Sequence, residues 1–127
     1  MDKTRLLKGP TEKFKRGNHE WKKGTIKGNY SVRPGTICIC DRAFCNCPDL
    51  ETIILPQSVR QIGKYAFSNC LNLSRVSLND GLVIIDDNAF CGCKHLHSIL
   101  LPDSVKYVGN NTFMGCMINV AFSNNEG

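Results

Sequence analysis

The sequence lacks several features that would assign it to a functional class at once. None of its apolar runs approaches the roughly 18 residues of a membrane span. It contains no glycine-rich phosphate-binding motif of the GxGxxG or GxxxxGK[ST] type. Its first 20 residues hold only Leu6, Leu7 and Phe14 as large apolar residues, which is no signal-peptide hydrophobic segment. We therefore expect no membrane span and, from the missing signal, a cytoplasmic location.

Positive charge is scarce outside the N-terminal part of the chain. Residues 1–30 hold nine Lys and Arg against three acids, a net charge of +6, whereas residues 31–127 hold seven against eight. Basic arms can bind nucleic acid or acidic surfaces, and Phe14 and Trp21 lie among the lysines where they could stack on single strands. Most charge runs are merely solvated. We keep nucleic-acid binding as an alternative and do not expect it as the main function.

A 23-residue repeat dominates the rest of the chain. Aromatic and thiol side chains recur at this step as Phe44, Phe67, Phe90 and Phe113, and as Cys47, Cys70, Cys93 and Cys116. The units share the pattern A-F-x-x-C-x-x-L-x-x-I-x-L-P-x-x-V-x-x-I-G. A fixed period of this length indicates a solenoid, in which each coil buries its apolar side against its neighbours. The eight phenylalanines and cysteines named here are the predicted structural core.

Each unit predicts two strands and one tight corner. The first alternating run, Leu50 to Leu55, suits a strand with Ile53 and Leu55 facing inward. A second run, Val59 to Ile62, is shorter, and Gly63 follows it where a chain reversal needs backbone freedom. The A-F-x-x-C segment is too short for a full helix and suits one turn of 3₁₀- or α-helix. The fold class is therefore mainly β with short helical turns.

This pattern resembles the BspA-type leucine-rich repeats, also called the Treponema pallidum class. The resemblance rests on A-F-x-x-C, L-x-x-I-x-L-P and V-x-x-I-G at the 23-residue step, and it covers residues 32–116. It implies a right-handed leucine-rich-repeat solenoid of about three to four coils. It also implies adhesion or protein–protein contact without catalysis, and it leaves a cell-surface location open.

The period also divides the chain. Residues 1–16 have no repeat register and are predicted to form a basic, poorly ordered arm. The solenoid is predicted to span residues 17–127, and its parts are a degenerate first coil at 17–40, full repeats at 41–63, 64–86 and 87–109, and an incomplete last repeat at 110–127. Ile118, Val120 and Phe122 alternate in that last repeat and predict a final strand with an open edge.

The candidate metal ligands do not form a convincing site. Zinc sites favour C-x₂₋₄-C pairs, whereas Cys38/Cys40, Cys45/Cys47 and Cys91/Cys93 are all CxC. His95 and His97 have no partner carboxylate at a clear spacing. Stacked coils would hold column cysteines about 5 Å apart, farther than a disulfide allows. We therefore expect reduced thiols, no metal, no cofactor and no catalytic residue.

The outward face of the first strands is the candidate binding surface. It presents Thr52, Ile54, Arg75, Ser77, Ser98 and Leu100. Solenoids use such extended faces for protein partners, so the leading hypothesis is a non-catalytic interaction module with an unidentified protein partner. Two alternatives stay open: a nucleic-acid or acidic-surface binder acting through the basic arm, and a truncated remnant of a longer adhesin-like array without independent function. The open last strand also predicts edge-to-edge self-association.

Overall fold

A computed structural model describes residues 6–7 and 26–122 of the chain. Its ten strands, in chain order, are β1 (Leu6–Leu7), β2 (Gly28–Ser31), β3 (Cys38–Ile39), β4 (Leu50–Ile54), β5 (Gln61–Ile62), β6 (Arg75–Ser77), β7 (Ile84–Ile85), β8 (Ser98–Leu101), β9 (Tyr107–Val108) and β10 (Asn119–Phe122). No helix occurs among these described residues. Long and short strands alternate along the chain from β2 onward, as the two runs of each repeat predict.

Every strand pairs in parallel with the equivalent strand of a neighbouring coil. The short strands form one sheet in the order β1-β3-β5-β7-β9. The long strands form the sheet β2-β4-β6 and the pair β8-β10. Ile53 pairs with Val76 and Ile62 pairs with Ile85, both at the 23-residue step. The predicted solenoid of about four coils is confirmed.

The core consists of columns of like residues. The rings of Phe44, Phe67 and Phe90 are wholly buried, and successive centroids lie 5.1 and 5.2 Å apart with nearly parallel planes. Phe113 continues the column at 5.8 Å but is only partly buried. Leucine and isoleucine columns flank the rings, among them the fully buried Leu50, Leu73 and Leu96. Each coil thus gains its apolar burial from the coils on either side.

The corner that holds A-F-x-x-C differs from the expected helical turn. It contains hydrogen bonds from Ala43 N–H to Cys40 O and from Cys45 N–H to Arg42 O, at 3.1 and 3.2 Å. However, Arg42 and Asn46 have φ of 61° and 60°, in the left-handed region. A helix needs consecutive negative φ values, so the segment forms linked turns. Asparagine tolerates this region better than most residues, which explains its recurrence in the corners.

Gly63 is required by close packing. It is buried, and a Cβ atom there would lie 2.7 Å from Asp41 N and 2.9 Å from Ile39 O of the preceding coil. Its φ lies outside the left-handed region, in contrast to Gly81 at 99°. The sequence predicted a glycine here for a chain reversal. The structure instead requires glycine because the adjacent backbones leave no room for a Cβ atom.

The first coil keeps the 23-residue register where it is described. Tyr30 pairs with Ile53, Ile39 pairs with Ile62, and Val32 is buried. Leu6 and Leu7 form a short strand that pairs with Cys38 and Ile39. At these two residues the structure differs from the predicted poorly ordered arm. The described residues do not include the rest of the arm or residues 17–25 of the degenerate coil, and so exclude Phe14 and Trp21.

The last coil is shorter than the others. Asn119 pairs with Ser98 and Val120 pairs with Ile99, a step of 21 residues. The connection from the column cysteine to the strand has lost two residues, so no leucine follows Cys116 as Leu96 follows Cys93. The predicted final strand is present, although it occupies a position two residues earlier than the 23-residue period would give.

Candidate interaction surface

The strand face is the outer side of the long strands, defined here by Thr52, Ile54, Arg75, Ser77, Ser98 and Leu100. All six side chains belong to β4, β6 or β8, and five are exposed while Thr52 is half-buried. The ladder pairs Thr52 with Arg75 and Ile54 with Ser77. One row of the face is therefore wholly polar, and the second alternates between apolar and polar side chains.

The second row gives the face its apolar contacts. Ile54 is 39% exposed and Leu100 is 56% exposed, with Ser77 in the strand between them. Ile54 and Leu100 are two coils apart, and coils stack at about the 4.8 Å spacing of strands, so the two apolar side chains stand roughly 10 Å apart across this serine. Arg75 is the charged member of the face, and its side chain is exposed. The surface can therefore contact two apolar groups and one acidic group together.

The cysteine column has a structural role that spacing alone did not reveal. The thiol of Cys70 donates to Phe44 O at 3.0 Å, that of Cys93 to Phe67 O at 3.1 Å, and that of Cys116 to Phe90 O at 3.1 Å. Each bond joins a coil to the coil before it. None of the eight cysteines, all within the described residues, forms a disulfide. The column thus satisfies backbone carbonyls in a place where an alanine or valine could not.

Position in the column determines the acidity of each thiol. The pKa of Cys70 and that of Cys93 are raised, first by hydrogen bonding with Cys47 and Cys116 respectively and then by burial. Hydrogen bonding with Cys93 lowers the pKa of Cys116 to about 7, against the effect of burial. Burial, with Cys40 and Asp41 nearby, raises the pKa of Cys38 to about 11. Cys116, at the last coil, is thus the most readily ionised of these thiols.

The histidines and CxC pairs are not assembled into a metal site. Within residues 26–122, no three His, Cys, Asp or Glu side chains are grouped to hold an ion. His95 Nδ1 lies 2.7 Å from Leu71 O, and His97 Nδ1 lies 3.4 Å from Met117 O. Both rings therefore contact the backbone of neighbouring coils. No helix among the described residues is long and apolar enough to cross a bilayer.

Comparison with known proteins supports the repeat assignment. A family model described as the BspA type leucine rich repeat region matches residues 25–125 in six copies. The pneumococcal vaccine antigen PcpA has a similar structure, with a TM-score of 0.77 and 25% identity over 84% of this chain. A leucine-rich repeat protein from Bacteroides ovatus gives a TM-score of 0.66 and 28% identity over 83% of this chain. No curated protein matches the sequence.

The similar structures belong to larger chains. The match covers 27% of the pneumococcal chain, 35% of the Bacteroides ovatus chain and 53% of the T. pallidum leucine-rich repeat protein. The last is 27% identical over 68% of this chain, with a TM-score of 0.53. The family model, by contrast, spans nearly all of the described residues. The chain belongs to the BspA-type leucine-rich repeat family.

Proposed function

We propose that this chain is a non-catalytic protein-interaction module that binds through its strand face. The observation that carries the proposal is the stacking of repeats that sets Ile54, Arg75 and Leu100 on three consecutive long strands with their side chains exposed. Stacked repeats hold these side chains in a fixed relative position. A rigid surface loses little conformational entropy when a partner binds.

The chemistry of the face defines the class of partner. Ile54 and Leu100 offer two apolar contacts about 10 Å apart, and Arg75 offers one positive charge on the strand between theirs. The complementary ligand is a polypeptide segment with two apolar side chains at that distance and a carboxylate between them. The face supplies hydroxyl groups at Thr52, Ser77 and Ser98, and neither His95 nor His97 is hydrogen-bonded to them. The proposed activity is therefore binding alone.

A displayed library of random peptides tests this function. We expect the native chain to select peptides whose affinity falls on the order of tenfold or more when Ile54 and Leu100 are both changed to Arg, since the paired apolar contacts are lost. Leu71→Arg is the matched control, because Leu71 is 42% exposed and lies outside the strand face. Selected peptides that bind the double variant as tightly as the native chain would contradict the proposal.

A second measurement, binding of a single-stranded oligonucleotide at increasing salt, separates the two alternatives from the interaction module. Apolar contacts are little affected by salt, whereas phosphate contacts weaken steeply as salt rises. Binding of a labelled single-stranded oligonucleotide with a steep salt dependence, unaffected by the strand-face substitutions, would support the basic arm instead. Selection of no peptide and binding of no oligonucleotide would favour a remnant without independent function.

A further inference from the structure

Exposed apolar side chains are concentrated at one end of the solenoid. Six of the nine large hydrophobic residues exposed in the described chain belong to the last coil, taken here as residues 106–122: Tyr107, Val108, Met114, Met117, Val120 and Phe122. Val120 is 39% exposed and Phe122 is 57% exposed, whereas their ladder partners Ile99 and Leu101 are buried. We call the outer side of residues 106–122 the end face. Apolar patches of this kind mark interaction sites.

The strand at this end carries none of the usual protection against pairing. Exposed sheet edges are commonly blunted by charged side chains, lysine above all, or by proline. Residues 110–122 contain no Asp, Glu, Lys, Arg or Pro. Two copies of such a segment could therefore approach each other without charge repulsion. The equivalent stretches of the three full repeats, residues 41–53, 64–76 and 87–99, all contain charged residues.

The end face also presents unpaired backbone donors. In the coil before, the amides of Asn88, Phe90 and Gly92 donate to carbonyls of the last coil at 3.0, 3.0 and 2.7 Å. The equivalent amides in the last coil are those of Asn111, Phe113 and Gly115. Within the described residues they donate no hydrogen bond. Three N–H groups at alternate positions are thus left for solvent or for a partner to satisfy.

Unpaired acceptors lie on the same face. Val83 O and Ile85 O each accept hydrogen bonds from the next short strand, including those from Lys106 N–H and Gly109 N–H, both at 2.8 Å. Their equivalents in the last coil, Lys106 O and Val108 O, accept none within the described residues. One face therefore carries both an acceptor set and a donor set. A surface with both can complement a rotated copy of itself, which a surface with only one of them cannot.

We propose that the end face binds the end face of a second copy of this chain, with β10 pairing antiparallel to its two-fold mate. In the parallel pair with β8, alternate residues of β10 direct their amides and carbonyls outward. The ladder places Asn119 N–H on His97 O at 2.9 Å, so the backbone groups of Val120 face the free edge. Antiparallel pairing across a two-fold axis satisfies these groups and covers Val120 and Phe122 in both copies. β10 itself carries no charge, so its pairing with the mate depends little on salt.

The dimer would also enlarge the strand face. Pairing β10 with its mate joins the two β8-β10 sheets into one, which sets two copies of the apolar Leu100 on the same surface. A single face of a few coils is small for a stable interface. The enlarged strand face matters only if the proposed function is correct, whereas the dimer itself does not depend on that function. Failure of peptide selection would leave the dimer standing, and the reverse also holds.

Sedimentation equilibrium over about 1 µM to a few hundred µM tests the proposal, a range that brackets ordinary weak dimers. We expect the native chain to dimerise, and Val120→Lys to raise the dissociation constant on the order of tenfold or more because two lysines would meet at the two-fold axis. Leu71→Lys is the matched control, since Leu71 is 42% exposed and lies outside both the strand face and the end face. It should dimerise as the native chain does. Met117→Lys provides a second end-face variant, at a side chain 82% exposed.

A photo-crosslinking residue gives an independent measurement. Placed at position 120 it should join two copies covalently, and placed at position 71, outside both faces, it should not. A native chain that stays monomeric throughout the range, or a Val120→Lys chain that dimerises equally well, would overturn the proposal. Oligomers that grow beyond the dimer would also overturn it, because a two-fold contact closes after two copies.

Discussion

Replacing Phe67 by alanine should lower the free energy of unfolding by about 3–5 kcal/mol, the range for a large buried aromatic. The Phe67 ring is wholly buried and stacks on Phe44 at 5.1 Å and on Phe90 at 5.2 Å. Its removal therefore leaves a cavity that breaks two coil–coil contacts at once. Small domains have only about 5–15 kcal/mol in total, so urea unfolding should show a large fall in the midpoint.

Phe113→Ala is the internal control for that measurement. The Phe113 ring stacks on one neighbour only, at 5.8 Å, and is partly exposed. Its loss should cost no more than about half as much as the loss of Phe67, because one side of the ring has no coil against it. Equal costs at the two positions would mean that Phe113 is covered to the same extent as Phe67.

Leu73→Ala should cost about 2–5 kcal/mol, the range for a buried leucine. Leu73 is fully buried in the column formed with Leu50 and Leu96. The surrounding side chains are fixed by neighbouring coils, so the cavity cannot close by a local shift of one coil. Thermal or urea unfolding followed by circular dichroism measures the loss.

Leu71 provides the matched control in the same coil. It lies two residues from Leu73 and is exposed, and Leu71→Ala should change stability by less than about 0.5 kcal/mol, as for an ordinary surface substitution. The pair tests which leucine of Leu71-Asn72-Leu73 faces inward. A larger cost at Leu71 than at Leu73 would show that the repeat register is displaced by two residues.

The sequence predicted the columns well because the period places chemically similar residues on top of one another. Phe44, Phe67 and Phe90 stack as the 23-residue step requires. Tyr30 pairs with Ile53 even though its coil has lost most of the repeat pattern. A repeat of apolar positions fixes which side chains meet, since each coil can be buried only by its neighbours.

Backbone conformation was harder to predict than packing. The left-handed φ of Arg42 and Tyr65 is unusual for such residues, and no local pattern indicates it. The neighbouring coil enforces it: Arg42 N–H donates to Lys64 O and Tyr65 N–H to Asp87 O, at 2.9 and 3.2 Å. Hydrogen bonding between coils thus overrides the helical tendency of a short segment.

The interaction surfaces were only partly visible in the sequence. Alternation along each long strand indicated which side chains point outward, and Ile54 and Leu100 are exposed in the structure. The end face could not be derived from the period, because it depends on which amides lack an acceptor and on a connection two residues shorter than its equivalents. One signal was present, namely the absence of charged residues from 110–122.

Amide hydrogen exchange along the phenylalanine column tests the stacked-coil account most directly. The amides of Phe44, Phe67 and Phe90 donate to the next coil at 2.7, 2.7 and 3.0 Å, so they should be protected in dilute solution. The amide of Phe113 has no acceptor among the described residues and should exchange faster on the order of a hundredfold or more, the difference between local and global opening. Its protection should rise with protein concentration as the end face is covered. Equal protection of Phe113 and Phe90 at every concentration would contradict the account.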